Sequence, residues 1–181
     1  GYSRNSNGGI DLSRPYCENF DIVAHEIGHS LIFAEVGVPV SPNDSAIDYG
    51  GMRESSADLV AIISALHFNS VVDYLLTSTS GNLFTVNELS RLGELSDSRE
   101  IRVAFNNLRM SDVGDESHER SIPLTGAIFD VMVEVFQKNL VKKSLIRQVL
   151  AHASTQGNGR SQNPGEIQRG FEKAYVGHEN D

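Results

Sequence analysis

Tryptophan is missing from this 181-residue chain, and cysteine occurs once, at Cys17. A lone cysteine excludes an internal disulfide framework and leaves the compartment open. Disulfide-free secreted enzymes are common, and a secreted or extracellular protein is the expectation carried forward. Basic residues are scarce: 15 Lys and Arg stand against 24 Asp and Glu, a formal net charge of −9 with a pI near 5.1. With no Lys/Arg-rich patch, nucleic-acid binding is not expected, because it depends on neutralising phosphates. No apolar run approaches the roughly 20 residues that span a bilayer, so no membrane span is expected, and no signal peptide is visible. What is present, 39 % hydrophobic residues, suffices for one compact domain across residues 1–181.

The chemistry concentrates in Asp21-Ile-Val-Ala-His25-Glu26-Ile-Gly-His29-Ser-Leu-Ile-Phe33. Histidines at i and i+4 project from one face of a helix and can close on one metal ion. Glu26 sits one step around the helix, badly aimed for a ligand but close enough to reach a metal-bound water. Zinc lowers the pKa of such a water, and the carboxylate takes its proton. Two surface histidines on an ordinary helix are the plain alternative. Apolar flanks at Ile22, Val23, Ile27, Leu31 and Ile32 speak against it by predicting a largely buried helix, in which unpaired imidazoles are costly. Imidazoles with ordinary pKa values should release the metal below about pH 6.

A catalytic zinc uses three protein ligands and keeps one position for water. A histidine six residues beyond His29 is excluded, because Glu35 stands there and Ile32 occupies the glycine position of that motif. The better source is Met52-Arg-Glu54-Ser-Ser-Ala-Asp58-Leu-Val-Ala-Ile-Ile63. Glu54 and Asp58 share one helical face, while Leu59, Ile62, Ile63 and Leu66 form another. One carboxylate can bind zinc and the other can accept the outer N–H of a ligand histidine, fixing its tautomer. Two solvated acids on an amphipathic helix would give the same spacing.

Together the two segments resemble the thermolysin-like gluzincins, a family of zinc metallopeptidases with His-Glu-x-x-His on one helix and Glu-x-x-x-Asp on the next. The resemblance implies one zinc per chain, held by His25, His29 and Glu54, with Glu26 as general base and Asp58 as the acid behind a ligand. It returns at Asp115-Glu-Ser-His118-Glu-Arg-Ser121, where His118 matches a histidine that hydrogen-bonds the oxyanion of the tetrahedral intermediate. A substrate-gripping arginine is implied too, at Arg102 or Arg109. Some positions depart from the pattern. Val40 stands where a tyrosine is usual, with Tyr49 nearby but out of register. Arg53 replaces a frequent asparagine, and Val113 stands where an acid should orient His118, with Asp112 and Asp115 beside it. Asp21 matches one calcium ligand, but Ala65 stands at its partner position, so calcium is not expected.

Periodicity predicts a mainly α chain: helices over 19–36, 51–68, 71–77, 99–108, 124–140, 143–154 and 165–175, with residues 1–18 and 38–49 as loops. That is a zincin-like zinc helix with a helical lower lobe and little or no sheet. Peptidases of this class bind substrate as an added strand on a sheet ahead of the zinc helix. Only 24 residues precede His25 and no strand is evident among them, so a truncated chain, or a lobe supplied by a partner fragment, is expected. The function expected is zinc-dependent cleavage of internal peptide bonds in a peptide or protein substrate. The alternatives are an exopeptidase of the wider gluzincin group and a zinc-bearing binding module without turnover.

Overall fold

A computed structural model of the chain describes residues 2–4, 10–38, 45–92, 102–157 and 164–177. Val40 and the first three residues of the expected 99–108 helix lie outside them. The described residues are mainly helical: α1 (Phe20–Val36), α2 (Ser45–Ala65), α3 (Asn69–Thr79), α4 (Ser117–Lys142), α5 (Gln148–Gly157) and α6 (Pro164–Val176). Two small antiparallel sheets accompany them, β1 (Tyr2–Arg4) with β2 (Ile10–Pro15), and β3 (Arg91–Leu92) with β4 (Arg102–Val103). No single helix among them is long and apolar enough to cross a membrane.

Local chemistry sets the ends of α1. The Asn19 side chain accepts from the Ile22 N–H at 3.1 Å, meeting one of the free donors of the first turn. Gly37 ends the helix at φ +78°, a conformation that favours glycine. Between these ends α1 crosses α2 at very short range. A Cβ on Gly28 would lie 2.8 Å from the Ala57 Cα, so only glycine admits this approach. The crossing brings the histidine face of α1 against the carboxylate face of α2. Beyond it lies the core, where Ile62 of α2, Leu75 of α3, and Phe129 and Val133 of α4 pack with Leu83, Phe84, Leu89, Leu92 and Ala104.

Several expectations fail, each for a physical reason. Helix α2 begins at Ser45, not near Gly51. Gly50 and Gly51 lie inside the helix and admit α4 at close range: a Cβ on Gly50 would lie 3.1 Å from the Ser117 Cβ, and one on Gly51 2.8 Å from the Arg120 Cβ. Residues ahead of α1 are not all loop, because β1 and β2 form an irregular hairpin. In place of a helix through 102–108 the chain forms β4, paired so that Arg102 lies opposite Leu92. Helix α4 starts seven residues earlier than periodicity implies. Finally, α1 is not largely buried. Ala24 and Gly28 are its buried residues, while Ile27 (53 %) and Leu31 (51 %) face outward, because α2 covers one side of the helix and no described element covers the other.

Candidate metal centre

The α1–α2 crossing sets His25 and His29 over Glu54. His25 Nε2 lies 3.3 Å from Glu54 Oε2 and His29 Nε2 lies 3.4 Å from the same oxygen. The two imidazole planes are nearly perpendicular, with centroids 4.5 Å apart. The three ligand atoms all fall within 4.8 Å of one another. Ligands about 2.0–2.2 Å from a tetrahedral ion sit roughly 3.3–3.5 Å apart, which the two short edges match. Glu54 is 3 % exposed, and its Oε2 is buried without a hydrogen bond. A desolvated carboxylate oxygen on which imidazole nitrogens converge is a poor arrangement unless a cation, an imidazole proton or a metal ion, joins them. The donor set fits a metal ion.

Behind His25 the ring is held from its other edge. Asp58, 1 % exposed, places Oδ1 2.8 Å from His25 Nδ1, so in the neutral ring Nδ1 keeps the proton and the Nε2 lone pair is left for a metal. Arg102 grips the same carboxylate with both arms, Nε to Oδ2 at 2.9 Å and Nη2 to Oδ1 at 2.5 Å. Strand β4, missed in the sequence, delivers this residue. Its guanidinium lines the cavity beside the site yet is committed to Asp58, whereas Arg109 lines a separate depression with Asn106 and Asp130.

His118, more than half exposed, stands at the start of α4 with Nε2 3.3 Å from Glu54 Oε2. Its Nδ1 lies 2.7 Å from Glu116 Oε1. The acid on this ring is therefore Glu116, not Asp112, whose Oδ2 accepts from the Arg109 N–H, nor Asp115, which pairs with Arg120. Glu116 also caps α4, accepting from the His118 and Glu119 N–H groups through Oε2 at 2.9 and 3.1 Å. Glutamate is an uncommon N-cap, which is why its second task left no pattern in the sequence. Tyr49, the nearest tyrosine in sequence, is turned away and bonds the Gly37 carbonyl.

Glu26 is exposed and shares a cavity of about 480 Å³ with His25 and His118. Ile22, Ala61, Leu92 and Ile122 give that cavity its apolar wall. His67, by contrast, is exposed just past the end of α2, where its Nδ1 meets the Ile63 carbonyl.

Charge in the cluster is strongly coupled. Burial lowers His25, but the Asp58 hydrogen bond and the close Glu54 carboxylate outweigh it and raise the imidazole to about 9. Burial raises Glu54, but the His25 contact and the charges of His118 and His29 prevail and push it down to about 2. His29 moves down, because burial outweighs the pull of Glu54. Without a metal, His25 is thus held as an imidazolium against two carboxylates, and a metal must displace its proton. Uptake of a divalent metal at pH 7.5 is expected to release about one proton, with apparent affinity rising about tenfold per pH unit toward pH 9 rather than levelling off above pH 6. Calorimetry in buffers of different ionisation enthalpy reads this directly; no proton released at pH 7.5 would show that His25 is neutral there.

No protein family matches the chain, and no curated protein or solved structure does either.

Proposed function

We propose that this protein is a zinc-dependent metalloendopeptidase whose helices form a zincin-like catalytic domain. The observation that carries the reading is the convergence of His25, His29 and Glu54 beside a cavity that also holds Glu26. A zinc ion in that donor set would supply Lewis acidity toward a water and a peptide carbonyl. The chain's own groups do the rest. Glu26 takes a proton from the attacking water and passes it to the departing amine nitrogen. His118, with Nδ1 held by Glu116, directs Nε2 toward the site and donates a hydrogen bond to the developing oxyanion. Asp58 and Arg102 keep His25 in the tautomer that leaves Nε2 free. Ile22, Leu92 and Ile122 give an apolar side chain of the substrate a dry place beside the reacting bond.

The direct test is metal content by mass spectrometry, then cleavage of unfolded casein with and without a chelator. About one zinc per chain and chelator-sensitive cleavage support the reading. Bound zinc with no turnover of casein or of a peptide library would leave a metal-bearing binding module instead.

His118→Ala is expected to lower kcat about tenfold to a hundredfold with KM and zinc content nearly unchanged, less than a fully buried oxyanion donor because this ring is half exposed. Glu116→Gln should lose part of that rate as well, since one amide oxygen can accept from Nδ1 or cap α4 but cannot replace both carboxylate oxygens. A kinetically silent His118→Ala in an active enzyme would reject the role.

A further inference from the structure

Arg53 is a cation placed beside a cation site. It precedes Glu54 on α2, and its Nη2 lies 3.5 Å from Glu54 Oε1, the oxygen turned away from His25 and His29. At that distance the contact is an ion pair at the edge of hydrogen-bond range, and the side chain is 40 % exposed. Its Nε is buried without a hydrogen-bond partner. A guanidinium carries five N–H donors in a planar fork, and among the described residues Glu54 is the one partner of this one.

Neutralising Glu54 is a weak reason for Arg53, because three imidazoles already approach that carboxylate. An adjacent guanidinium also repels a metal ion and draws charge from its ligand, so it works against metal binding. It suits the opposite moment, when negative charge appears on an oxygen next to the ligands. His118 flanks Glu54 at Oε2 and Arg53 flanks it at Oε1, so the two bracket the carboxylate. Tyr49, five residues before Glu54, spends its hydroxyl on Gly37 and leaves that side of the site to Arg53.

We infer that Arg53 is a catalytic residue, a second donor to the oxyanion that forms as water adds to the peptide carbonyl, acting opposite His118. This rests on the peptidase reading above. In the step, the water oxygen bonds the carbonyl carbon, the carbon–oxygen π pair moves onto oxygen, and the water proton goes to Glu26. Arg53 gives no proton; it hydrogen-bonds the charged oxygen until the carbon–nitrogen bond breaks and the carbonyl re-forms.

The test uses the zinc-loaded protein with Arg53→Gln and Arg53→Lys. Three quantities are read: zinc content, kcat and KM on a fluorogenic peptide, and the Kd of a phosphonamidate peptide, whose tetrahedral anionic oxygens mimic the oxyanion. Arg53→Gln should lower kcat and weaken phosphonamidate binding by a similar factor, about tenfold or more, with KM within about twofold and zinc retained. Arg53→Lys should recover part of both. A guanidinium that merely balances Glu54 would leave phosphonamidate affinity unchanged, and that result overturns the inference. So does a loss confined to KM, which would make Arg53 a ground-state anchor for a substrate carboxylate, as an exopeptidase needs. If the wild-type protein holds zinc but cleaves nothing, the peptidase reading fails and a catalytic Arg53 falls with it, whereas an active wild type with phosphonamidate affinity unchanged in Arg53→Gln overturns Arg53 alone. A wild-type protein that takes up no zinc removes both.

Discussion

Glu26→Gln is expected to keep the fold and the zinc while losing about 10² to 10⁴ in kcat, the range that positioned general acid–base groups contribute. The substitution is nearly isosteric and falls on an exposed position of α1 that is not one of the three ligand residues. Zinc content therefore acts as an internal control. KM should move little, because in the proposed mechanism Glu26 acts on the proton of water and on the departing amine rather than on the resting substrate. Glu26 lines the same cavity as His25 and His118, where that mechanism puts the bond being broken. Undiminished hydrolysis with zinc retained would remove Glu26 from the mechanism and turn attention to Glu119, the other glutamate of that cavity.

The parts of this site that were legible in the sequence share one physical basis. His25 with His29, and Glu54 with Asp58, are pairs at i and i+4, and helical periodicity alone puts each pair on one face. That the two faces meet was not read from the sequence; the structure shows it at Gly28, where a missing Cβ lets α1 and α2 approach at backbone distance. What was not legible depends on distant parts of the chain. Arg102 reaches Asp58 from a two-residue strand, too short for any alternation to register. Glu116 was hidden because caps favour Asp, Asn, Ser and Thr. The hairpin ahead of α1 was obscured by the three-residue length of β1 and its irregular pairing with β2. The burial of α1 was overestimated for a more general reason. Ile27 and Leu31 mark an apolar face, but a sequence does not say whether anything covers it, and among the described residues nothing does.

Asp58 carries the second large expected effect, because one buried carboxylate serves two partners with opposite needs. It accepts from His25 Nδ1 at 2.8 Å and from both arms of Arg102 at 2.5 and 2.9 Å. Asp58→Ala should weaken zinc affinity about 10 to 100-fold, since the His25 tautomer and ring angle lose their support. It should also destabilise the protein by about 3–5 kcal/mol, because Arg102, with a side chain 12 % exposed, is left as an enclosed charge without a counter-ion. The double change Asp58→Ala with Arg102→Met separates the two effects. Removing both charges should restore most of the lost stability, as breaking one side of a buried pair costs far more than removing the pair. It should not restore zinc affinity, because nothing then holds His25 Nδ1. Denaturant midpoints on the chelated protein give the first quantity, and competition with a zinc indicator dye gives the second. Full recovery of zinc affinity in the double variant would mean that Asp58 acts on the metal only by keeping Arg102 neutralised, and that His25 needs no partner at its outer edge.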